Sequence, residues 1–556
     1  MVVSLVPYSV LAQPVPRAIT VGIPVTSPVV RQQCGSCHQS DAEGRMSRIS
    51  YQRTTPEGWQ QTIRRMVLLN GLDIEPAAAR EAVRYLANRH GLAPEEARAA
   101  AFEVERRLVD YYYAADPATQ ETCNRCHSMG RVLTQRRTSE EWQLLTAMHQ
   151  GYYPLVDFQS FYRTVSAAGE NTDGDDEPGP YPVELAVEHL SQAFPLDTSE
   201  WAAWSANMRD PRLVGQWSLV GSQRGRGPVY GQVEIAARAG STDGFDTRIS
   251  YTYARTGQTV ERTGQSVVFT GFQWRGRSST TSEEMLQEVM FVDRDWQGIT
   301  GRWFTGNHDE IGLDIRLERV ASGPTLTGVY PPAVRVGDSA NRQESLTIYG
   351  VDLPDDLATM SAAVDLGPGL DVVDIAEASR SRVVLELTVA AGAAVGARDL
   401  FLGDSFLLDA VSVYDDVHRL EVTPNTGMAR VGGAAFPKRF EQFEARAFHN
   451  GPDGVANTAD DLDLGLPDVT WSLEEYAAIY GDDDIEFVGR IDQEGFFTPA
   501  LDGPNPERRN NANNIGDVWV VAIATGSDDA STLRARAHLL VTVPLYIRRD
   551  ASPEVQ

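Results

Sequence analysis

Four cysteines constrain this chain more than any other feature, because they fall in two copies of one frame. The copies are Cys34-Gly35-Ser36-Cys37-His38 and Cys123-Asn124-Arg125-Cys126-His127. This is the C-x-x-C-H spacing of covalent c-type haem attachment. Two thiols must reach the two vinyl groups on one porphyrin edge, and the adjoining histidine must then present its imidazole to the iron. A four-sulfur zinc site would leave both histidines without a role and would have to join units 89 residues apart. A thioredoxin-type dithiol needs no histidine in either copy. Two copies that use every cysteine of the chain read as two covalently bound haem c groups, with His38 and His127 as proximal ligands.

The segments after the two frames repeat. Arg48-Ile49-Ser50-Tyr51-Gln52-Arg53-Thr54 leads to Thr55-Pro56-Glu57-Gly58-Trp59-Gln60, and Arg131-Val132-Leu133-Thr134-Gln135-Arg136-Arg137 leads to Thr138-Ser139-Glu140-Glu141-Trp142-Gln143. Both then enter a helix, signalled by Thr55 before Pro56 in one copy and by Ser139 before two glutamates in the other. Each copy closes with a second helix, over 77–90 and 183–194. Seven residues past Trp59 is Met66, and seven past Trp142 is His149. Seven residues are close to two helical turns, so tryptophan and ligand candidate share a face. The register nominates one His/Met haem (His38, Met66) and one bis-His haem (His127, His149), the first at higher potential, other things equal. Met66 is also readable as a core methionine. Met46, His90, Met129, Met148 and His189 are competing ligands. Met148 is the nearest rival, but it aligns with Arg65.

Between the repeats, residues 94–117 have the pattern of a long amphipathic helix. Residues 171–180 are an acidic loop in which Asp173, Asp175, Glu177 and Glu184 fall at calcium-loop positions, but Pro178 stands where such a loop needs Gly. A solvated loop is the expected reading. Met1 to Gln13 is apolar and ends in small residues, like the back half of a secretory signal without its basic start. Export to the periplasm is the expectation.

From about Trp217 the period changes from helical to alternating. Segments 229–238, 248–255, 266–274 and 313–320, with Trp217, Trp274, Trp296 and Trp303, suggest a β-barrel. A second series (334–337, 345–350, 383–389) and a third (418–424, 440–448, 517–524, 533–544) suit immunoglobulin-like β-sandwiches. The expected fold class is multidomain α plus all-β. A signal remnant or extension would occupy 1–20 and a tandem dihaem cytochrome c domain 21–200, with repeats over about 28–92 and 93–200. A barrel would follow over 205–322, then sandwiches over 323–416 and 417–548. Asp453, Asp460, Asp461 and Asp463 lie close together without an EF-hand frame, so a turn-rich loop is expected there too. No serine triad, phosphate-cradling Gly loop or zinc motif is evident in this half.

The formal net charge of −28 argues against nucleic-acid binding and favours encounter with a locally basic partner. No apolar run is long enough for a membrane-spanning helix.

Two tandem haem frames followed by three all-β domains resemble the α subunit of quinohemoprotein amine dehydrogenase. The CGSCH and CNRCH frames, the Trp-to-Met and Trp-to-His spacings and the domain succession up to the acidic loop of the 450s carry the likeness over nearly the whole chain. The resemblance implies a periplasmic heterotrimer of this haem subunit, a β-propeller subunit and a small subunit bearing a cysteine tryptophylquinone. The quinone would oxidise a primary amine, and electrons would leave through the two haems to a soluble copper protein or cytochrome c. Base and quinone would belong to the other chain, so no catalytic residue is carried over. The weak leader departs from that pattern. Two other functions stay open: a dihaem peroxidase, which needs an open iron position, and a stand-alone haem relay with β-domain binding modules.

Overall fold

The computed structural model describes residues 21–98, 113–127, 129–162, 180–281, 285–305, 308–337, 340–356, 363–433, 436–477, 483–508, 510, 512–525 and 532–544. The chain divides into two compact units, residues 1–99 with 112–207, and residues 100–111 with 208–556. The leader (1–20) and residues 171–179 of the acidic insertion lie outside the described residues.

The first unit is helical. Its elements are α1 (Pro28–Cys34), α2 (Pro56–Asn70), α3 (Pro76–Arg89), α4 (Pro94–Ala97), α5 (Pro117–Cys123), α6 (Gly130–Leu133), α7 (Ser139–Tyr152), α8 (Pro182–Ala193) and α9 (Ser199–Asn207), with short strands β1 (Gln52–Thr54) and β2 (Gln135–Arg137). Proline opens several helices, where its missing N–H costs nothing. The hydroxyl of Thr55 accepts the Gly58 N–H and caps α2, as the sequence suggests. In the second copy the cap is Thr138, which accepts the Glu141 N–H; Ser139, read as the start signal, is already the first helical residue. Threonine one residue earlier can reach the third helical N–H, which Ser139 cannot. Of the long helix expected over 94–117, residues 99–112 lie outside the described residues. At its described far end, Tyr113–Asp116 is a turn, and Pro117 starts a separate helix. The proline ring forces Asp116 into an extended conformation (φ −146°, ψ 93°), which no helix passes through.

The second unit is all β. Strands β3 (Gly215–Gln223), β4 (Gly227–Ala237), β5 (Gly244–Tyr253), β6 (Thr259–Phe269), β7 (Gln273–Ser279), β8 (Leu286–Val292), β9 (Gly298–Thr305) and β10 (His308–Arg319) pair in sequence order and close, β10 onto β3, into an eight-stranded barrel. Alternate residues point inward, so Trp217, Leu219, Val233, Ile249, Trp274, Met290, Trp303 and Ile315 share one core. Segment 266–274, read as one strand, is a hairpin. Thr270 and Gly271 both take positive φ (55° and 74°), and Phe272 N–H closes the turn on Phe269 O at 3.1 Å. That turn suits the twist of the flanking strands but lacks an Asn-Gly or Asp-Gly signature.

Residues 325–414 form two four-stranded sheets that enclose Leu346, Ile348, Leu385, Leu387, Leu400, Val411 and Val413. The last region has a sheet of Thr426–Arg430, Thr532–Thr542, Gly516–Thr525 and Val469–Glu475 in that order, flanked by two three-stranded sheets over Phe443, Trp471, Phe497 and Val520. In the 453–463 loop each carboxylate turns onto nearby donors: Asp461 onto Arg419 and Asn457 N–H, Asp463 onto Arg446, and Asp460 onto Thr458 and Asp453 N–H. Glu184 accepts the Tyr181 N–H at the start of α8.

Candidate functional site

The two haem segments are related by a local two-fold axis. β1 and β2 pair antiparallel, with Arg53 opposite Arg136, and these residues are equivalent in the sequence repeat. Equivalent bonds recur on both sides. The His90 carbonyl accepts Thr54 N–H (3.0 Å) and Trp59 Nε1 (2.9 Å), and the Phe194 carbonyl accepts Arg137 N–H (3.2 Å) and Trp142 Nε1 (3.3 Å). Each tryptophan is thus fastened to the residue that ends its repeat's last helix, and the ligand candidates two turns further along α2 and α7 take equivalent places. At the axis, Glu96 holds both repeats: it accepts from Arg53 at 2.8 and 3.0 Å, from Arg136 at 3.1 Å and from Thr198 at 2.8 Å. Sequence reading missed this knot, because nothing in the helical pattern of 94–98 marks Glu96 as a buried partner.

Each frame begins at the C-terminus of a short helix, Cys34 ending α1 and Cys123 ending α5. His38 N–H and Cys37 N–H both bond the Cys34 carbonyl (2.9 and 3.2 Å), coiling the frame into a turn. None of the four cysteines is in a disulfide. Burial, with Asp116 adding to it, pushes the Cys123 thiol up to about 12, so it is protonated and unlike a redox thiolate.

The imidazoles are set for iron. His38 Nδ1 lies 3.0 Å from the Ser47 carbonyl, and His149 Nδ1 lies 2.8 Å from the Leu145 carbonyl. A carbonyl can only accept, so Nδ1 carries the proton in both and Nε2 keeps its lone pair. This is the arrangement that orients metal-bound histidines. Burial lowers the pKa of both rings, and nearby guanidinium groups add to it, which favours the neutral, ligating form. The His127 and His149 ring centres are 6.4 Å apart. Two metal–nitrogen bonds of about 2 Å, plus about 1.1 Å from each nitrogen to its ring centre, span about 6 Å. The separation of the two rings is of the size that a metal ion held between His127 and His149 would need. Met66 is half-buried on α2, two turns beyond the buried Trp59.

The competing ligands lie as follows. His90 is fully buried, ends α3, and occupies the position that Phe194 holds in the other repeat. His189 Nε2 is 2.6 Å from the Tyr113 hydroxyl, with Asp116 beside its other nitrogen. Met46 and Met129 are buried in the core, and Met148 is half-buried on α7.

The second unit holds a cluster that sequence spacing did not reveal. Ligand-type atoms of Asp415, His418 and His449 lie within 4.8 Å of one another, with the two rings stacked at 4.1 Å. His418 Nδ1 accepts the Asn450 N–H at 3.0 Å, so the ring proton sits on Nε2. A protonated His418 Nε2 has no lone pair for a cation, and the Asp415 carboxylate lies 3.0 Å from His449 Nε2.

A duplicated haem-binding unit joined to an eight-stranded barrel and further β-sheet domains defines the class of the protein. Models of four successive domains of one family match the chain: the haem-binding domain of the quinohemoprotein amine dehydrogenase α subunit over residues 25–167, domain II over 210–320, domain III over 323–415 and domain IV over 420–551. The chain belongs to the quinohemoprotein amine dehydrogenase α-subunit family. No curated protein matches it. Similar solved structures include a redesigned β-barrel (18% identity, 20% of this chain and 92% of that one, TM-score 0.18). Others are a de novo fluorescence-activating β-barrel (17% identity, 19% of this chain and 93% of that one, TM-score 0.17) and the plexin A4 extracellular region (10%, 60% and 31%, TM-score 0.16).

Proposed function

We propose that this chain is the electron-transfer subunit of a periplasmic amine dehydrogenase and carries two covalent haem c groups. Cys34 and Cys37 would attach the first, with His38 and Met66 as axial ligands. Cys123 and Cys126 would attach the second, with His127 and His149. Bound haem supplies one-electron carriers, and the chain's own residues do the rest. Ser47 and Leu145 fix the tautomers of His38 and His149. Trp59 and Trp142 pin the ligand helices to the ends of α3 and α8.

The observation that carries this reading is the 6.4 Å between the His127 and His149 rings. His127 and His149 would hold the haem iron, and a pair of histidine ligands would suit outer-sphere electron transfer, which needs no open position. The same geometry weighs against a dihaem peroxidase.

Electrons would come from a cysteine tryptophylquinone on a small partner subunit, reduced by a primary amine, within a heterotrimer that includes a β-propeller subunit. They would leave to a soluble copper protein or cytochrome c. The acidic surface favours an acceptor with a basic face. The test is anaerobic addition of a primary amine to the purified native complex while the haem bands are followed. Amine-dependent reduction is expected. Reduction no faster than without amine would refute the assignment, and high-spin ferric haem with peroxide turnover would replace it.

A further inference from the structure

The segment after α7 departs from the local two-fold. Only residues 71–75 separate α2 from α3, whereas residues 153–181 separate α7 from α8. The described start of the longer connection winds into one wide turn, Asp157–Phe161, closed by Tyr162 N–H on the Asp157 carbonyl at 2.9 Å. A π turn of this kind is rare and recurs at functional sites.

The turn is fastened on three sides. Ser160 is buried and donates its hydroxyl to the carbonyl of Thr122, the residue before Cys123. Gln150, next to His149 on α7, donates to the Asp157 carboxylate at 2.9 Å and to the Tyr162 hydroxyl at 3.1 Å. Val156 and Phe161 pack with Val183 and Val187 of α8. The segment is thus a strap joining the attachment frame, the ligand helix and the closing helix of one repeat. Its inner side chain, Phe161, is 6% exposed, and its ring centre lies 6.1 Å from that of His149 at an interplanar angle of 56°. That separation is in the range of contacting aromatic rings. Tyr153 also stands beside His149, at 6.4 Å, but it is 59% exposed.

The Leu145 carbonyl holds His149 at one edge of its ring. A single hydrogen bond leaves an imidazole free to swing about that bond, and a buried ring packed on it at a second point stops the swing. We propose that Phe161 is a positioning residue for the second site: carried by the π turn, it fixes the plane of the His149 ring at the 46° that it makes with the His127 ring. The proposal rests on the haem reading above and deepens it by naming what keeps the distal ligand in place. Partners that orient a ligand change the strength of a metal site by about 10- to 100-fold when they are removed.

The test uses the oxidised holo-protein, full chain, with Phe161→Leu, Phe161→Tyr and Phe158→Ala. Leucine keeps an apolar side chain beside Val156 and Val183 but loses the ring, and tyrosine keeps the ring. Phe158 is on the same turn, 81% exposed, and serves as the control. Low-temperature electron paramagnetic resonance separates the bis-His signal of the second haem from the signal of the first, and added cyanide competes with His149 for the iron. In Phe161→Leu the bis-His signal should broaden, and the cyanide concentration that displaces half of it should fall about tenfold. The first haem's signal should not move, and Phe161→Tyr and Phe158→Ala should match the wild type. A leucine variant like the wild type, a tyrosine variant as altered as the leucine variant, or an equal change in Phe158→Ala overturns the proposal. Loss of haem or of folding in Phe161→Leu overturns it too, by making Phe161 a packing residue. A wild-type chain without a bis-His signal would instead refute the reading beneath it.

Discussion

A buried, neutral His90 makes the haem unit acid-labile, and one substitution removes the liability. Its ring is fully buried, edge-on to Trp59 at 6.1 Å and tilted against Tyr85 at 6.2 Å, with both nitrogens lacking a partner. Burial first, and then Arg53 and Arg89, hold its pKa down from the ordinary 6.5 to about 3. The folded unit therefore keeps His90 neutral, while the unfolded chain takes up a proton below about pH 6.5. The stabilisation is complete above that pH and is lost as the pH falls toward about 3. A shift of this size at 1.36 kcal/mol per unit amounts to about 5 kcal/mol at most, of which about 3 kcal/mol is lost by pH 4. The perturbation is His90→Phe, because Phe194 fills the equivalent position and the backbone carbonyl that binds Thr54 and Trp59 is untouched. Removing two unpaired buried nitrogens should gain about 1–3 kcal/mol, of which the larger ring gives some back through overpacking. The assay is denaturant unfolding at neutral pH and near pH 4, followed by helical circular dichroism, since the described α-helices lie between residues 28 and 207. The variant should be at least as stable at neutral pH and about 3 kcal/mol ahead near pH 4. Parallel losses in both proteins would refute the reasoning. Loss of a low-spin haem spectrum in the variant would show that His90 binds iron.

Three further substitutions probe the ligands and one the axis. Met66→Ala should abolish any sulfur–iron charge-transfer band and leave the second haem's spectrum unchanged; a surviving band removes Met66 from the assignment. His149→Ala should turn the second haem high-spin, whereas Met148→Leu should be spectroscopically silent, and the reverse result would exchange their roles. Glu96→Gln should cost the haem unit about 3–5 kcal/mol in denaturant unfolding, because it leaves Arg53 and Arg136 buried without their shared carboxylate. Burial opposes ionisation of Glu96, but Arg53 and Arg136 outweigh it and lower its pKa. Its contribution is therefore present above the ordinary carboxylate range and fades as the pH falls, a dependence the Gln variant should lack.

The parts of the site legible in the sequence are those with a fixed local spacing. C-x-x-C-H places two thiols and an imidazole within one turn, and a seven-residue step along a helix keeps Trp59 with Met66 and Trp142 with His149. The barrel was legible for the same reason, since an alternating pattern says which side of each strand is wet. What could not be read depends on residues far apart in the chain. Glu96 meets Arg53 and Arg136 across separations of 43 and 40 residues, and Asp415 meets His449 across 34. The hairpin at Thr270-Gly271 stayed hidden because its positive φ angles fall on a pair without the usual Asn or Asp.

The local two-fold is the ground for preferring Met66 and His149 over their rivals. A duplicated frame supplies the same scaffold twice: a capped helix, an indole fastened to a helix-end carbonyl, and a ligand position two turns on. Positions where the copies differ are then informative, because the shared scaffold leaves them free to diverge. His90 and Phe194 differ although both serve through their backbone carbonyls, so that side chain is not needed for the common job. Met66 and His149 differ at the position two turns past the shared tryptophan, where a thioether and an imidazole would give a bound haem different potentials. Arg65 and Met148 differ at the neighbouring position, and the charged member lies in the repeat whose ligand candidate is methionine. The asymmetry thus falls where it would distinguish two otherwise equivalent haem sites, as the proposed relay requires.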